Sequence, residues 1–244
     1  MLDLPAQPTA PPDAPDALAP GTFAPCAARD ACLTIAGQRL VLLPERAILW
    51  GTTLLVADLH LGKGEAMCRL GVGVPRVVLD ESLDRLSRAV VRTGASRVLV
   101  LGDLLHAPLG ITQGLVERVR AWRDSYPGDV TLVPGNHDRA LARVADAWHL
   151  RLAPDVLHEA PFAFAHDPQA LREHHSPYAW CGHIHPAVRL GPPRLATSLP
   201  AFLLSRAVGV LPAFSAFTAG APVRPAPHDR LYVVADGRVM ELTA

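Results

Sequence analysis

Four apolar runs in this 244-residue chain end in clusters of carboxylate, imidazole or amide side chains: LLVADLH, VLVLGDLLH, VTLVPGNHD and YAWCGHIH. A fifth, FAFAH, ends in a single histidine. Seven of the residues so delivered are candidate metal ligands: Asp58, His60, Asp103, Asn136, His166, His183 and His185. Carboxylate, imidazole and amide oxygen without thiolate form a donor set of intermediate hardness, suited to Mn, Fe, Zn or Co and not to a closed structural zinc site. Within DLH and HIH two donors stand at i and i+2, which in extended backbone share one face and could hold one ion. Seven donors are too many for one open catalytic ion and suit two ions sharing a carboxylate. Ions about 3.5–4 Å apart clamp the attacking and leaving oxygens of a phosphoryl displacement.

Each cluster alone is a weak sign. Gly and Asn make ordinary turns after strands, and a Gly-His-x-His can be a turn with a surface histidine. Their joint occurrence in this order, each after a β-type run, points to one site.

To act together the clusters must meet, and open α/β sheets gather ligands at the carboxyl ends of their strands. Short β-type runs over residues 31–58, separated by turns, suggest an antiparallel meander leading into a core strand that ends at Asp58. Then come an amphipathic stretch over 75–92, the strand RVLVLGD, a helical stretch over Gln113–Ser125 and the strand DVTLVPGNHD. This alternation implies parallel pairing through right-handed crossovers. A helix is expected over 141–149, and the remainder reads mainly as strands, closing in the hairpin LYVVADGRVMEL with an Asp-Gly turn. The expectation is two packed β-sheets with helices outside.

Half of the residues are hydrophobic and 19% are charged, which implies a globular body with a buried core. Residues 1–28, rich in Pro, Ala and Asp, read as a disordered tail, and 29–244 as one domain. The formal net charge is zero, so no global field draws the chain toward nucleic acid or an anionic membrane. No apolar run approaches the roughly 18 residues of a spanning helix, and no membrane association is expected. Cys26, Cys32, Cys68 and Cys181 form no CxxC pair and suggest neither a disulfide scaffold nor a zinc knuckle. The expected location is the reducing cytoplasm.

The order of motifs resembles the calcineurin-like metallophosphoesterases, whose pattern is DxH, GDxx(D/H), GNHD, a single His and GHxH. Here it stands as Asp58-Leu59-His60, Gly102-Asp103-Leu104-Leu105-His106, Gly135-Asn136-His137-Asp138, His166 and Gly182-His183-Ile184-His185. The resemblance implies a four-layer α/β/β/α sandwich of two mixed β-sheets flanked by helices. It also implies two divalent metal ions, Mn2+ foremost with Fe, Zn or Co as alternatives. One would be held by Asp58, His60 and His185 and the other by Asn136, His166 and His183, with Asp103 bridging. A hydroxide between the ions would be the nucleophile. His137 would lie over the leaving-group oxygen, its imidazole oriented by Asp138. Ala165 precedes His166 where the family commonly has Gly, and His174 and His175 compete for that role. His149, His158 and His228 are expected at the surface. His106 is a candidate for lining the pocket or supporting a ligand, and Lys63 and Arg139 are candidate contacts to phosphate oxygens.

Finer resemblance, carried by DLHLGKGEAMCRLGVGVP, HIHPAVRL and LPAFSAFTAG, is to the bacterial ligase-associated DNA-damage-response metallophosphoesterases. It implies a DNA-directed phosphodiesterase or endonuclease in repair, associated with a DNA ligase, a helicase and an exonuclease-like protein. One departure is the segment Arg194-Leu195-Ala196-Thr197-Ser198-Leu199-Pro200-Ala201-Phe202, where that subgroup has an Arg, Pro, Cys and aromatic run, so the substrate-side wall is expected to differ. The alternatives are a phosphoesterase acting on a lipid-sugar pyrophosphate, a cyclic nucleotide or a phosphomonoester, and a non-catalytic scaffold. A lipid enzyme would carry an apolar lid that the chain does not announce. A scaffold would have lost ligand histidines that this chain keeps.

Overall fold

The computed structural model describes residues 27–192 and 196–242. The tail expected over 1–28 lies outside the described residues except for its last two, as does Cys26. Runs of Leu, Ile and Val broken by turn residues form β1 (Ala31–Ile35), β2 (Gln38–Leu43), β3 (Ala47–Trp50) and β4 (Thr53–Val56), the expected antiparallel meander. The chain then forms α1 (Lys63–Arg69), a short helix that periodicity does not announce, and α2 (Arg76–Thr93). β5 (Arg97–Leu101), α3 (Gln113–Ser125), β6 (Asp129–Val133) and the two-residue β7 (Arg151–Leu152) follow, and β4 to β7 pair in parallel. The order in this seven-stranded sheet follows the chain.

Central strands of this sheet read as continuous apolar runs because both of their faces are buried. Leu54, Val56, Val98 and Val100 pack with Leu83 and Leu86 of α2, Leu115 and Val119 of α3, and Trp148. The alternate residues Leu55, Leu99 and Leu101 meet Phe162, Phe164, Trp180 and Phe202 of a second sheet.

That sheet comprises β8 (Val156–Glu159), β9 (Phe162–Ala165), β10 (Tyr178–Cys181), β11 (Pro186–Leu190), β12 (Thr197–Leu204), β13 (Val208–Val210), β14 (Ala221–Pro222), β15 (Arg230–Ala235) and β16 (Arg238–Leu242). Its order is β14-β11-β12-β13-β10-β9-β8, with the hairpin β15–β16 branching from β12. Asp236 and Gly237 both take the left-handed conformation that a two-residue hairpin turn needs. Both sheets are mixed. On the outer face of the second sheet a short 3-10 turn, Pro168–Leu171, packs Leu171 on Ala163, Ala165 and Ala179, and Val223 packs with Ala201, Leu231 and Val233.

The helix expected over 141–149 is not formed. A 3-10 turn, Asp138–Arg143, is followed by single turns, in which the amides of Val144 and His149 reach back three residues to Leu141 and Asp146. The apolar spacing still marks burial, since Leu141, Val144, Ala145 and Trp148 are all in the core. Two bonds of helical reach persist, from the Ala145 amide to Leu141 and from the Trp148 amide to Val144, and tertiary bonds join them. The Trp148 indole donates to the Val116 carbonyl at 3.2 Å, and Arg123 donates to the Trp148 carbonyl at 3.0 Å.

Cys32 is disulfide-bonded, which its spacing does not announce, whereas Cys68 and Cys181 are free thiols. Among the described residues no helix is long and apolar enough to cross a membrane.

Candidate metal centre

The loops after β4 and β5 stay paired past the strand ends. The amides of Asp58, His60 and Leu61 donate to the carbonyls of Gly102, Asp103 and Leu104 at 3.1, 2.9 and 2.8 Å. Along these loops, and in the one after β10, Asp58, His60, Asp103, His183 and His185 all have left-handed φ, between 47° and 69°. For a residue with a Cβ this costs about 1–2 kcal/mol, and it persists where surrounding bonds fix the backbone. The extended geometry expected for DLH and HIH is therefore corrected. The i and i+2 residues do converge, but through left-handed residues on either side of Leu59 and Ile184 beyond the strands and not by strand alternation. Glycines allow the close approach: a Cβ on Gly135 would lie 2.3 Å from an Asp103 carboxylate oxygen, and one on Gly182 would lie 2.6 Å from Asp58 Oδ2.

Asp103 stands in the middle. Its Oδ2 is 3.8 Å from His60 Nε2, and its Oδ1 is 3.3 Å from His166 Nε2. On one side, His185 Nε2 lies 3.1 Å from Asp58 Oδ1 and 3.4 Å from His60 Nε2. On the other, His166 Nε2 lies 3.1 Å from both Asn136 Oδ1 and His183 Nδ1. The same carboxylates also hold backbone: Asp58 Oδ2 accepts the His183 amide at 3.0 Å, and Asp103 Oδ1 accepts the His137 amide at 2.9 Å.

This geometry fits divalent ions. Metal bonds of about 2.0–2.1 Å place neighbouring ligand atoms about 2.9–3.4 Å apart, the range of every donor separation above except Asp103 Oδ2 to His60 Nε2, at 3.8 Å. Asp58 with His60 and His185, Asp58 with Asp103 and His166, and, toward solvent, His60 with His106 and His137 each form a compact donor group. Burial pushes the His60 imidazole down to about 3, outweighing the attraction of Asp103, so the ring stays neutral with a lone pair to give. Burial also pulls on His166, but the Asp103 hydrogen bond and the charges of Asp58 and Asp103 prevail and raise it to about 9. The two carboxylates thus attract positive charge strongly enough to keep a proton on a buried ring. His166 Nδ1, 3.0 Å from the Leu101 carbonyl, carries the hydrogen that bond requires, which leaves Nε2 toward Asp103 and Asn136.

No family model and no curated protein matches the chain. Among solved structures, the Pseudomonas putida nuclease MPE is 31% identical with a TM-score of 0.75, and the match covers 87% of this chain and 100% of that one. The chain belongs to the metallophosphoesterase family. A more distant likeness, 16% identical with a TM-score of 0.42, is to Yfce, a phosphoesterase from E. coli, over 78% of this chain and 97% of that one. With its clustered Asp and His donors this metallophosphoesterase is a metal-dependent phosphoester hydrolase.

Around the metallophosphoesterase centre the remaining candidates separate. His137 is near it: Nε2 lies 3.9 Å from Asp103 Oδ2, while Nδ1 lies 2.7 Å from the His106 carbonyl. The His106 ring stacks on that of His137 with centroids 5.6 Å apart, and its buried Nδ1 has no hydrogen-bond partner among the described residues. Asp138 does not orient the His137 imidazole, contrary to expectation. Its oxygens accept the amides of Leu105 and Gly135, both at 2.9 Å, because consecutive residues in this turn point apart and the buried carboxylate meets the β5 loop instead. Lys63 places Nζ 3.5 Å from Thr218 Oγ1. Arg139 is exposed and has no hydrogen bond or ion pair among the described residues. His174 and His175 join none of the donor groups, and His149, His158 and His228 are exposed. The roles of the His106 and Leu101 carbonyls, and the nearby Arg46 and Phe217, have no local sequence signal, although Phe217 lies within LPAFSAFTAG.

Proposed function

We propose that this metallophosphoesterase cleaves phosphodiester bonds of DNA, as an endonuclease of ligase-associated repair acting in the cytoplasm with a DNA ligase, a helicase and an exonuclease-like protein. The observation that carries the reading is the likeness to a nuclease along that chain's whole length at 31% identity. The proposed ligands are Asp58, His60 and His185 for one divalent ion and Asn136, His166 and His183 for the other, with Asp103 shared. Mn2+ is the proposed ion, and Fe, Zn or Co have the same donor preference. When bound, the ions supply positive charge to the phosphate and lower the pKa of water from about 15.7 toward 7.

The side chains do the rest. A carbonyl only accepts, so the bond to His106 puts the hydrogen of His137 on Nδ1 and leaves Nε2 as the proton-exchanging atom. Protonated there, His137 donates to the departing oxygen of the cleaved strand. Lys63 offers its ammonium to a non-bridging phosphate oxygen. Asp138 pins the loop that carries His137 to the loop that carries His106.

The test is a metal-reconstituted panel of single-stranded DNA, duplex DNA, cyclic nucleotides and lipid-sugar diphosphates. Cleavage of DNA in preference to the others is expected. Turnover of another class with no DNA cut would contradict the reading.

A further inference from the structure

A cavity of about 290 Å³ opens beside His185. Small-molecule sites begin at about 300 Å³, so it suits one nucleoside and not a length of strand. Its wall is the segment over 211–220, which docks on the metal centre's own backbone: the Phe214 amide donates to the Ala57 carbonyl at 2.8 Å and the Ser215 amide to that of Asp58 at 3.3 Å. Ser198 and Pro200 complete it, from the segment in which this chain departs from the subgroup it resembles.

Two side chains in the lining call for a ligand. Arg46, in the turn between β2 and β3, is held at φ 63°, a strained conformation for a residue with a Cβ. Its Nη1 donates to the carbonyls of Ser215 at 2.9 Å and Ala213 at 3.3 Å. Nη2 and Nε have no acceptor, and the guanidinium has no ion-pair partner, among the described residues. Burial first and the Arg85 charge second lower its pKa to about 10, with Glu81 compensating only in part. Guanidinium N–H groups lining a cavity can donate to acceptor atoms of a bound ligand. Phe217 is 37% exposed and also lines the cavity, with Lys63 Nζ 5.8 Å from its centroid. A partly exposed aromatic ring beside a phosphoesterase centre, with an ammonium over it, offers a stacking platform for a base.

We propose that this cavity binds the nucleoside next to the scissile phosphate, with its base stacked on Phe217 and a base oxygen accepting from Arg46. The identity of the ligand rests on the DNA reading; the cavity's test does not.

The experiment compares the thymidine 5′ and 3′ p-nitrophenyl phosphate esters with bis-p-nitrophenyl phosphate on the Mn-loaded full chain. Wild type should favour at least one thymidine ester through a lower KM. In Phe217→Ala the ratio of the two kcat/KM values should fall about tenfold, the scale of one stacked base. Arg46→Met should lower it in the same sense, and Arg46→Lys, which keeps a donor, should restore part. Absence of a thymidine preference in wild type, or variants that slow both substrates in parallel with the ratio intact, would overturn the proposal. Oligonucleotide cleavage is read alongside. Uncut DNA with the thymidine preference present sinks the DNA reading and supports the cavity, whereas cut DNA without the preference sinks the cavity alone.

Discussion

Asp58, His60, Asp103 and His166 lie at the floor of the centre with side chains at most 4% exposed, whereas His185 and His137 at its mouth are 19% and 40% exposed. Floor and mouth use the same residue types for different ends. The floor carboxylates face donor atoms and also accept the backbone amides of His137 and His183. The His137 ring is held at Nδ1 by the His106 carbonyl and leaves Nε2 to meet substrate, whereas His185 turns its Nε2 back to Asp58. The floor should govern whether ions are held, and the mouth how fast bound substrate reacts.

The largest effect expected is at the floor. Asp103→Asn keeps an oxygen for the His137 amide but removes the shared charge, and should cut Mn-dependent turnover of bis-p-nitrophenyl phosphate by about 10³-fold with loss of metal. Near-normal rates would break the distinction. At the mouth, His137→Ala should keep the ions by elemental analysis while DNA cleavage falls by about 10²–10⁴-fold. Loss of metal there would make His137 a floor residue.

Proton release sharpens the same contrast. The folded pKa of His166 is raised from 6.5 to about 9, so between those values the metal-free protein holds a proton that a binding cation must expel. Calorimetry of Mn2+ binding at pH 8 in buffers of different ionisation enthalpy should show about one proton released, with affinity rising as pH approaches 9. Smaller again is Asp138→Ala, which strands the buried Leu105 amide and the half-buried Gly135 amide and should cost about 1–3 kcal/mol for the first and less for the second in urea unfolding. Arg139→Ala, at an exposed position, should change KM less than about twofold.

Much of the floor was legible because an apolar run followed by a ligand residue is a one-dimensional pattern. Asp58, Asp103, His166 and His183 each follow such a run, and the alternation of strand and helix already places β4, β5 and β6 side by side. The sign of φ is not written in residue type, so nothing in Asp58-Leu59-His60 distinguishes a strand from a segment with left-handed residues at both ends. Residues 141–149 show a related limit: periodicity reports which side chains are buried, while the backbone there mixes bonds of three- and four-residue reach in place of one continuous helix. Neighbours in sequence misled at Asp138, whose partners are Leu105 and Gly135. The cavity wall joins Arg46, Ser198 and Phe217, which only tertiary folding brings together.

Metal stoichiometry tests the account most directly. Protein stripped by chelation and titrated with Mn2+ should bind about two ions per chain, with bis-p-nitrophenyl phosphate turnover appearing as the second binds. Full turnover at one ion per chain, or no specific binding, would contradict a shared Asp103 between two sites.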